Sequence, residues 1–596
     1  MPWRQRPREL SRRILENRRL RELSRRTLEN FRLRLSLSEA LPQLSLLGIL
    51  CGLLAGVVMI VFRLTVESAQ GAFLPGGDPE NYEALSATWR VLIPLCGGLT
   101  VGVVFQFAPK AARNVGVVHV MERLAYYQGR LPLPNAVMQF VGAALSIVAG
   151  HSVGREGPAI HLGAACGSLP GQYLRLPHNS LRVLAACGVA AAIAASFNTP
   201  LAGVIFAMEV VMMEYTVVGF APVILAAVSA TALTRWVYGA APAFSVPPLT
   251  LGSLWELPYV LAMGLLIGAL AAAFIALLKV FARRSEFLPP WIRMALAGLF
   301  VGLCALPVPE VMGIGYDTVN QALLGELALS VLLLVVAVKL LATTAGLGMG
   351  LPGGLIGPVL VIGAAAGGAL GVVGQWIAPS YASSVGFYAL IGMGAMMAGA
   401  LHAPLAALTA MLELSGNPNI IWPDMLAVIA AYGTSRQLFG QQSVFLTLMR
   451  AQGLEYRNDP VSQSLRRVGV GAAMDRSAAT LPRRAPRTRV AEVLAERPRW
   501  VLLRDAGMPT LLLPIEQLER RARDNAGEGE LDLVDAPESG VRLAPIELQA
   551  SLKEALETMQ EAGVEALYVA QHTVPGIERV YGVLTRTDIE RYYRQG

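Results

Sequence analysis

Of the chain's 596 residues, 54% are hydrophobic and 15% charged, and the formal net charge is +7. A soluble chain would carry about a quarter charged residues; this composition, with a mean hydropathy of +0.51, excludes a soluble enzyme or nucleic-acid-binding protein and predicts an integral membrane protein. The 59 glycines fit helices that approach closely in lipid.

The first 35 residues hold twelve Arg against four Glu and contain a 13-residue tandem repeat, RELSRRILENRRL at 8–20 and RELSRRTLENFRL at 21–33. Thirteen residues is not a whole number of helical turns, so no single apolar stripe runs through both copies; only Leu10 and Ile14 pair locally. This arm (1–40) reads as a duplicated, solvated segment that sets topology, or as a basic helix on an anionic leaflet. Its arginines place this end in the cytoplasm. The basic region is too long for a secretory signal.

Apolar segments follow at 44–63, 91–107, 135–150, 180–196, 216–235, 257–281, 291–306 and 327–348. Others, at 157–168, 199–213, 356–374, 387–400 and 404–414, are short and broken by glycine. A straight crossing needs about 20 residues, so the short pieces predict broken helices lining a polar cavity. They recur: GREGPAIHLGAACG (154–167) matches GLIGPVLVIGAAAG (354–367), and FNTPLAGVIFAMEV (197–210) matches HAPLAALTAMLEL within 401–414. The membrane region, 41–452, is therefore two homologous halves, about 41–240 and 250–450. The five cysteines (Cys51, Cys96, Cys166, Cys187, Cys304) lie in apolar segments without metal-ligand spacing and read as small core residues. From Gly453 the composition turns polar, and strand-like runs at 500–505, 509–514, 566–570 and 579–585 with a helical run at 552–563 predict a soluble α/β unit over 459–596. Residues 520–540 read as a loose connection inside it.

The glycine-rich turns carry the chemistry. A helix that begins inside the membrane aims free N–H groups and a positive dipole end at whatever lies beyond it, and such an end binds an anion without a full positive charge. Gly154, Arg155 and Gly157 form one such turn; Gly354, Leu355, Ile356 and Gly357 form the other. Glu156 stands in the first. A carboxylate there competes with an anion for the same amides, and protonation ends the competition, so Glu156 reads as a gate or a proton carrier.

At these residues the sequence resembles the CLC chloride channels and chloride/proton antiporters, over most of 40–450. GREGPAIHLGAACG is similar to the gating-glutamate motif, FNTPLAGVIFAMEV to the helix that follows, GGLIGP to the second-half anion motif, and HAPLAALTAMLELSG to the late helix pair. The tail resembles the CBS-domain pair that often accompanies the family. The resemblance implies an all-α polytopic fold with two inverted halves, a homodimer with one anion pathway per subunit, both termini cytoplasmic in what reads as a bacterial inner membrane, chloride as the bound ion, and no required cofactor, metal or catalytic residue.

Three departures stand against the family pattern. The first anion turn is NVGVV (114–118): Gly116 remains, but Val115 replaces a hydroxyl-bearing Ser. Phe445, in SVFLTLM, stands where a Tyr hydroxyl is usual. Each lost hydrogen bond to an ion costs about 1.5–3 kcal/mol if nothing replaces it. Val210 stands at the position of the inner, proton-carrying glutamate of the antiporters, beside Glu209, which matches a glutamate shared across the family. Without that acid, passive conduction of chloride, bicarbonate or nitrate gated by Glu156 is the expected activity, and proton-coupled exchange, with Glu209 or Glu214 recruited, the alternative. Pro158, where the fluoride-exporting branch departs from proline, makes fluoride the less expected substrate. A membrane sensor with a vestigial pore is a third reading, opposed by the intact GREGP. In the tail, GVLTRTD resembles the CBS pattern that contacts an adenosine ribose, so Thr585 and Asp588 are the candidate adenine-nucleotide pair. The six histidines are scattered in sequence, and His119 and His161 read as polar helix residues.

Overall fold

The computed structural model describes residues 28–37, 40–214, 217–241, 243–244, 246–455, 459–505, 508–524, 530–533, 540–574 and 577–595. The first repeat copy and most of the second lie outside the described residues. The chain forms two compact units, one of residues 44–172 and 181–456, the other of 1–43, 173–180 and 457–596.

The first unit is all-helical. Among the described residues, seven helices are long and apolar enough to cross a membrane, the longest being Leu41–Phe73 and Leu254–Ser285. Shorter apolar helices include Leu133–Val148, Pro290–Cys304, Val385–Leu401 and Pro404–Ser415. Their bounds follow from punctuation. Pro200 and Pro404 each sit in the first turn of a helix, where a missing N–H costs nothing. Just ahead of each, the preceding segment turns through a left-handed residue, Asn198 (φ 61°) and His402 (φ 55°).

The repeat found in the sequence is a structural repeat. Glu156–Tyr173 packs on His178–Phe197 through Gly163 against Gly188 and Gly167 against Leu184, and Ile356–Ile377 packs on Val385–Leu401. Both contacts need glycine: a Cβ on Gly163 would strike the Gly188 carbonyl, and one on Gly363 would stand 2.5 Å from the Gly392 oxygen. Closely approaching backbones replace apolar side chains as the packing device, as expected in lipid.

The two halves also bond to each other reciprocally. Gly154 N donates to Gly354 O (2.7 Å) and Gly354 N to Gly154 O (2.6 Å). Glu413 accepts from the Leu201 and Ala202 amides at 2.9 and 2.8 Å, and Glu209 from those of Leu405 and Ala406 at 3.2 and 2.7 Å. Each half's carboxylate thus caps the other half's broken helix, where orphan N–H groups and the positive dipole end favour a negative charge. Three cysteines are buried as read, but Cys96 is exposed, on a helix (Ala87–Phe107) that turns much of its surface outward, and Cys304, the last residue of Pro290–Cys304, is half-buried.

The second unit is α/β. Strands β1 (Ala478–Pro482), β3 (Trp500–Asp505), β4 (Met508–Pro514), β6 (Val541–Glu547), β7 (Ala566–Val574) and β8 (Ile577–Thr585) form one sheet in the order β1-β3-β4-β6-β7-β8. β2 (Arg484–Pro486) and β5 (Glu530–Asp532) form a second, two-stranded sheet. Helix Leu552–Ala562 opens with a capping box made by Ser551 and Glu554.

Candidate functional site

Glu156 is the first residue of helix Glu156–Tyr173 and is fully buried. Its carboxylate is held from the second half of the chain. Tyr316 Oη donates to Oε1 at 2.6 Å, and Gly357 N donates to Oε2 at 3.1 Å. The bare backbone around it has a steric reason. A Cβ on Gly154 would collide with Oε2, one on Gly354 would lie 2.9 Å from Oε2, and one on Gly357 would lie 3.0 Å from Oε1.

Two cavities reach the residues on either side of Glu156, Arg155 in one and Gly157 in the other. One, of about 410 Å³, is lined by Arg155, Tyr316 and Ile314, with Arg63, Arg235, Glu67 and Glu80. The other, of about 400 Å³, is lined by Val115, Gly116, Gly157, Gly354, Leu355 and Phe445, with Arg113, Arg283, Arg293 and Glu286. Among the described residues, none lines both. The residues before and after Glu156 thus belong to different cavities, each lined by three arginines, with the buried carboxylate between them.

Most of the residues singled out in the sequence meet here. Gly154, Gly157, Gly354, Leu355 and Gly357 surround the carboxylate or line the second cavity. Arg155 donates to Ser196 O at 3.0 Å and lies 5.0 Å over the Tyr316 ring. Ile356 is buried at the start of its helix. Val115 and Phe445 line the second cavity and bring no hydroxyl to it. Val210 is buried in a π-helical turn at Ala207–Met212, away from both linings. The acids suggested as its substitutes are engaged: Glu209 caps the second-half helix, and Glu214 pairs with Arg182 at 3.4 Å.

Gly116 requires a correction. Its N–H was expected to face an anion, but it donates to Gln139 Oε1. Gln139 also accepts from His161 Nδ1 at 3.1 Å, and His161 Nε2 lies 3.1 Å from His119 Nδ1. Arg123 Nε donates to His119 Nε2 at 3.1 Å. An arginine cannot accept, so the whole chain of bonds is directed from Arg123 to Gln139, with both rings neutral. The two histidines that looked unrelated in sequence are thus one buried network at the start of helix Gly116–Tyr126.

Tyr316 had no signal in the sequence. It opens the nine-residue helix Tyr316–Leu324, too short and polar for an apolar-segment search. In the tail, Asp588 Oδ2 accepts from both Thr585 N (3.0 Å) and Thr585 Oγ1. The two residues bond to each other at the start of the last helix and are nearly buried. Among the described residues, no group of three His, Cys, Asp or Glu is placed to hold a metal ion.

Paired broken helices meeting across a buried carboxylate, with an arginine-lined cavity on either side, fit a multi-pass membrane protein that moves anions. Residues 96–436 match the family model for voltage gated chloride channels. A protein of Ralstonia nicotianae named a ClcB-like chloride channel protein is 34% identical over 407 residues, 66% of this chain and 94% of that one. The H(+)/Cl(-) exchange transporter ClcA of Vibrio cholerae is 28% identical, covering 68% of this chain and 88% of its own length. A solved slow cyanobacterial Cl-/H+ antiporter superposes with a TM-score of 0.60 at 25% identity, over 69% of this chain and 97% of that one. The chain belongs to the CLC family of chloride channels and transporters.

Proposed function

We propose that the chain exchanges chloride, or another small monovalent anion, for protons, with Glu156 as both gate and proton carrier. The observation that carries this reading is the Glu156 carboxylate, buried between two arginine-lined cavities and bonded to the Gly357 amide. While ionised it fills the place of an anion; once protonated it no longer competes for that amide. The exchanger named among the relatives and the solved antiporter support coupling to protons. Val210 favours a second reading, passive conduction through the same gate, because valine cannot deliver a proton. A homodimer with one pathway per subunit, and an adenine nucleotide at Thr585 and Asp588, belong to the same proposal.

Purified protein in liposomes decides between the two readings. With chloride running down its gradient and external pH recorded, exchange predicts uphill proton movement at a fixed ratio to chloride, lost in Glu156→Gln. Chloride flux without proton movement would replace exchange by passive conduction. Flux indifferent to Glu156→Gln would end both readings.

A further inference from the structure

We propose that Tyr316 is the side-chain ligand of the transported anion, and that the same hydroxyl latches Glu156 while the gate is shut. This rests on Glu156 being the gate. The carboxylate is a tethered anion, so the donors that hold it are the donors a free anion meets in its place: the Tyr316 hydroxyl and the Gly357 amide. Val115 and Phe445 leave the second cavity without the two hydroxyls that the family resemblance leads one to expect. Tyr316 brings one to the carboxylate from a different helix.

The hydroxyl is built into place. Phe244 meets the Tyr316 ring edge-on at 5.0 Å, Phe197 lies at 6.1 Å, and the Arg155 guanidinium at 5.0 Å. Tyr316 is 9% exposed, and a buried phenol needs an acceptor. When Glu156 swings away, the acceptor left for it is the incoming ion or its water. Orphaning the hydroxyl would be costly, so the site is poised to refill with an anion. The charged groups facing this point are Arg155, just ahead of the helix of Glu156, Lys339 beside the Gly315 turn and, around the first cavity, Asp78, Glu80, Glu67, Arg63 and Arg235.

The test uses the full chain in detergent. Glu156→Ala vacates the site, and chloride binding is measured by calorimetry with and without Tyr316→Phe, which keeps the ring and its packing. We expect at least about tenfold weaker chloride binding in the double variant, the scale of one hydrogen bond to a charged group. The loss should be larger for chloride than for thiocyanate, whose charge is more diffuse. Tyr388→Phe is the control: it removes another buried hydroxyl, bonded to Glu256, and should leave binding unchanged. With Glu156 present, Tyr316→Phe loosens the latch, and half-maximal flux in liposomes moves to higher pH. Equal chloride affinity with and without the Tyr316 hydroxyl would overturn the ligand assignment while leaving the gate standing. No chloride binding in Glu156→Ala itself would overturn both.

Discussion

Helices Gly116–Tyr126 and Tyr316–Leu324 begin 200 positions apart, and each is steadied by a buried polar residue, Gln139 in one half and Lys339 in the other, again 200 positions apart. In the first half Gln139 takes the Gly116 N–H at the helix start. In the second half Lys339 Nζ donates to Val311 O (3.0 Å) and Gly313 O (3.1 Å), in the turn that leads to Tyr316. The same duplicated scaffold therefore treats its two helix starts differently. One amide is spent inside a neutral histidine network; the other helix sends a phenol to the gate. Where the halves bond to each other, through Gly154 and Gly354 and through Glu209 and Glu413, they remain alike. Symmetry persists in the framework and breaks at Glu156, opposite Ile356, and at Tyr316, opposite Gly116.

The sharpest way to break this comparison is at Lys339, which is fully buried. Lys339→Met leaves two buried carbonyls without their charged donor, and we expect a loss of about 2–4 kcal/mol, read by thermal unfolding in detergent. Because the turn precedes Tyr316, half-maximal flux should also move to higher pH, as in Tyr316→Phe. The counterpart, Gln139→Leu, orphans the Gly116 N–H and the His161 ring N–H, with an expected loss of about 1–3 kcal/mol. It should leave the latch on Glu156, and hence the pH profile, in place. If Lys339→Met left the profile unchanged, or Gln139→Leu shifted it, the division of labour between the halves would be wrong.

The symmetric part makes the opposite demand. Glu209→Gln and Glu413→Gln each weaken a carboxylate that takes two helix N–H groups, so each should cost about 1–2 kcal/mol. The two losses should match within experimental error. A much larger effect of Glu209→Gln on proton movement than of Glu413→Gln would show that Glu209 has left the framework and become the missing inner proton carrier.

Much of this was legible in the sequence. Periodic apolar runs located the spanning helices to within a few residues for Ala87–Phe107 and Leu329–Gly348, because length and composition alone decide insertion in lipid. Glycine and proline at fixed positions in both halves located the broken helices, since glycine alone allows the close backbone approach seen at Gly163 and Gly188 and proline marks a first turn. Tyr316 and the His119–His161–Gln139 network were not legible. Their contacts span 160 and 42 residues, and one tyrosine or histidine in a helix carries no local mark of its partner. Gly116 was misread for a related reason: a glycine announces an accessible amide but not which acceptor reaches it first.

The smallest effect lies in the tail, where a carboxylate has no symmetry mate and serves as a control for the paired ones. Glu554 accepts from Ser551 N and Oγ at 2.8 Å each and from His178 Nδ1 at 2.9 Å, His178 belonging to the 173–180 segment of the same compact unit. Burial alone would raise its carboxyl; the bond and charge of His178 and the bonds from Ser551 outweigh it and hold the group below its ordinary value. A carboxylate depressed in the folded state stabilises fully above its unfolded value, about 4.3, and that contribution disappears as the pH falls through the lower folded value. The difference in unfolding free energy between the protein and its Glu554→Gln variant should therefore be about 1 kcal/mol at neutral pH and shrink steadily below about pH 5. A difference that persisted unchanged into acid would mean that the Ser551 cap, and not the ionised carboxylate, is what Glu554 contributes.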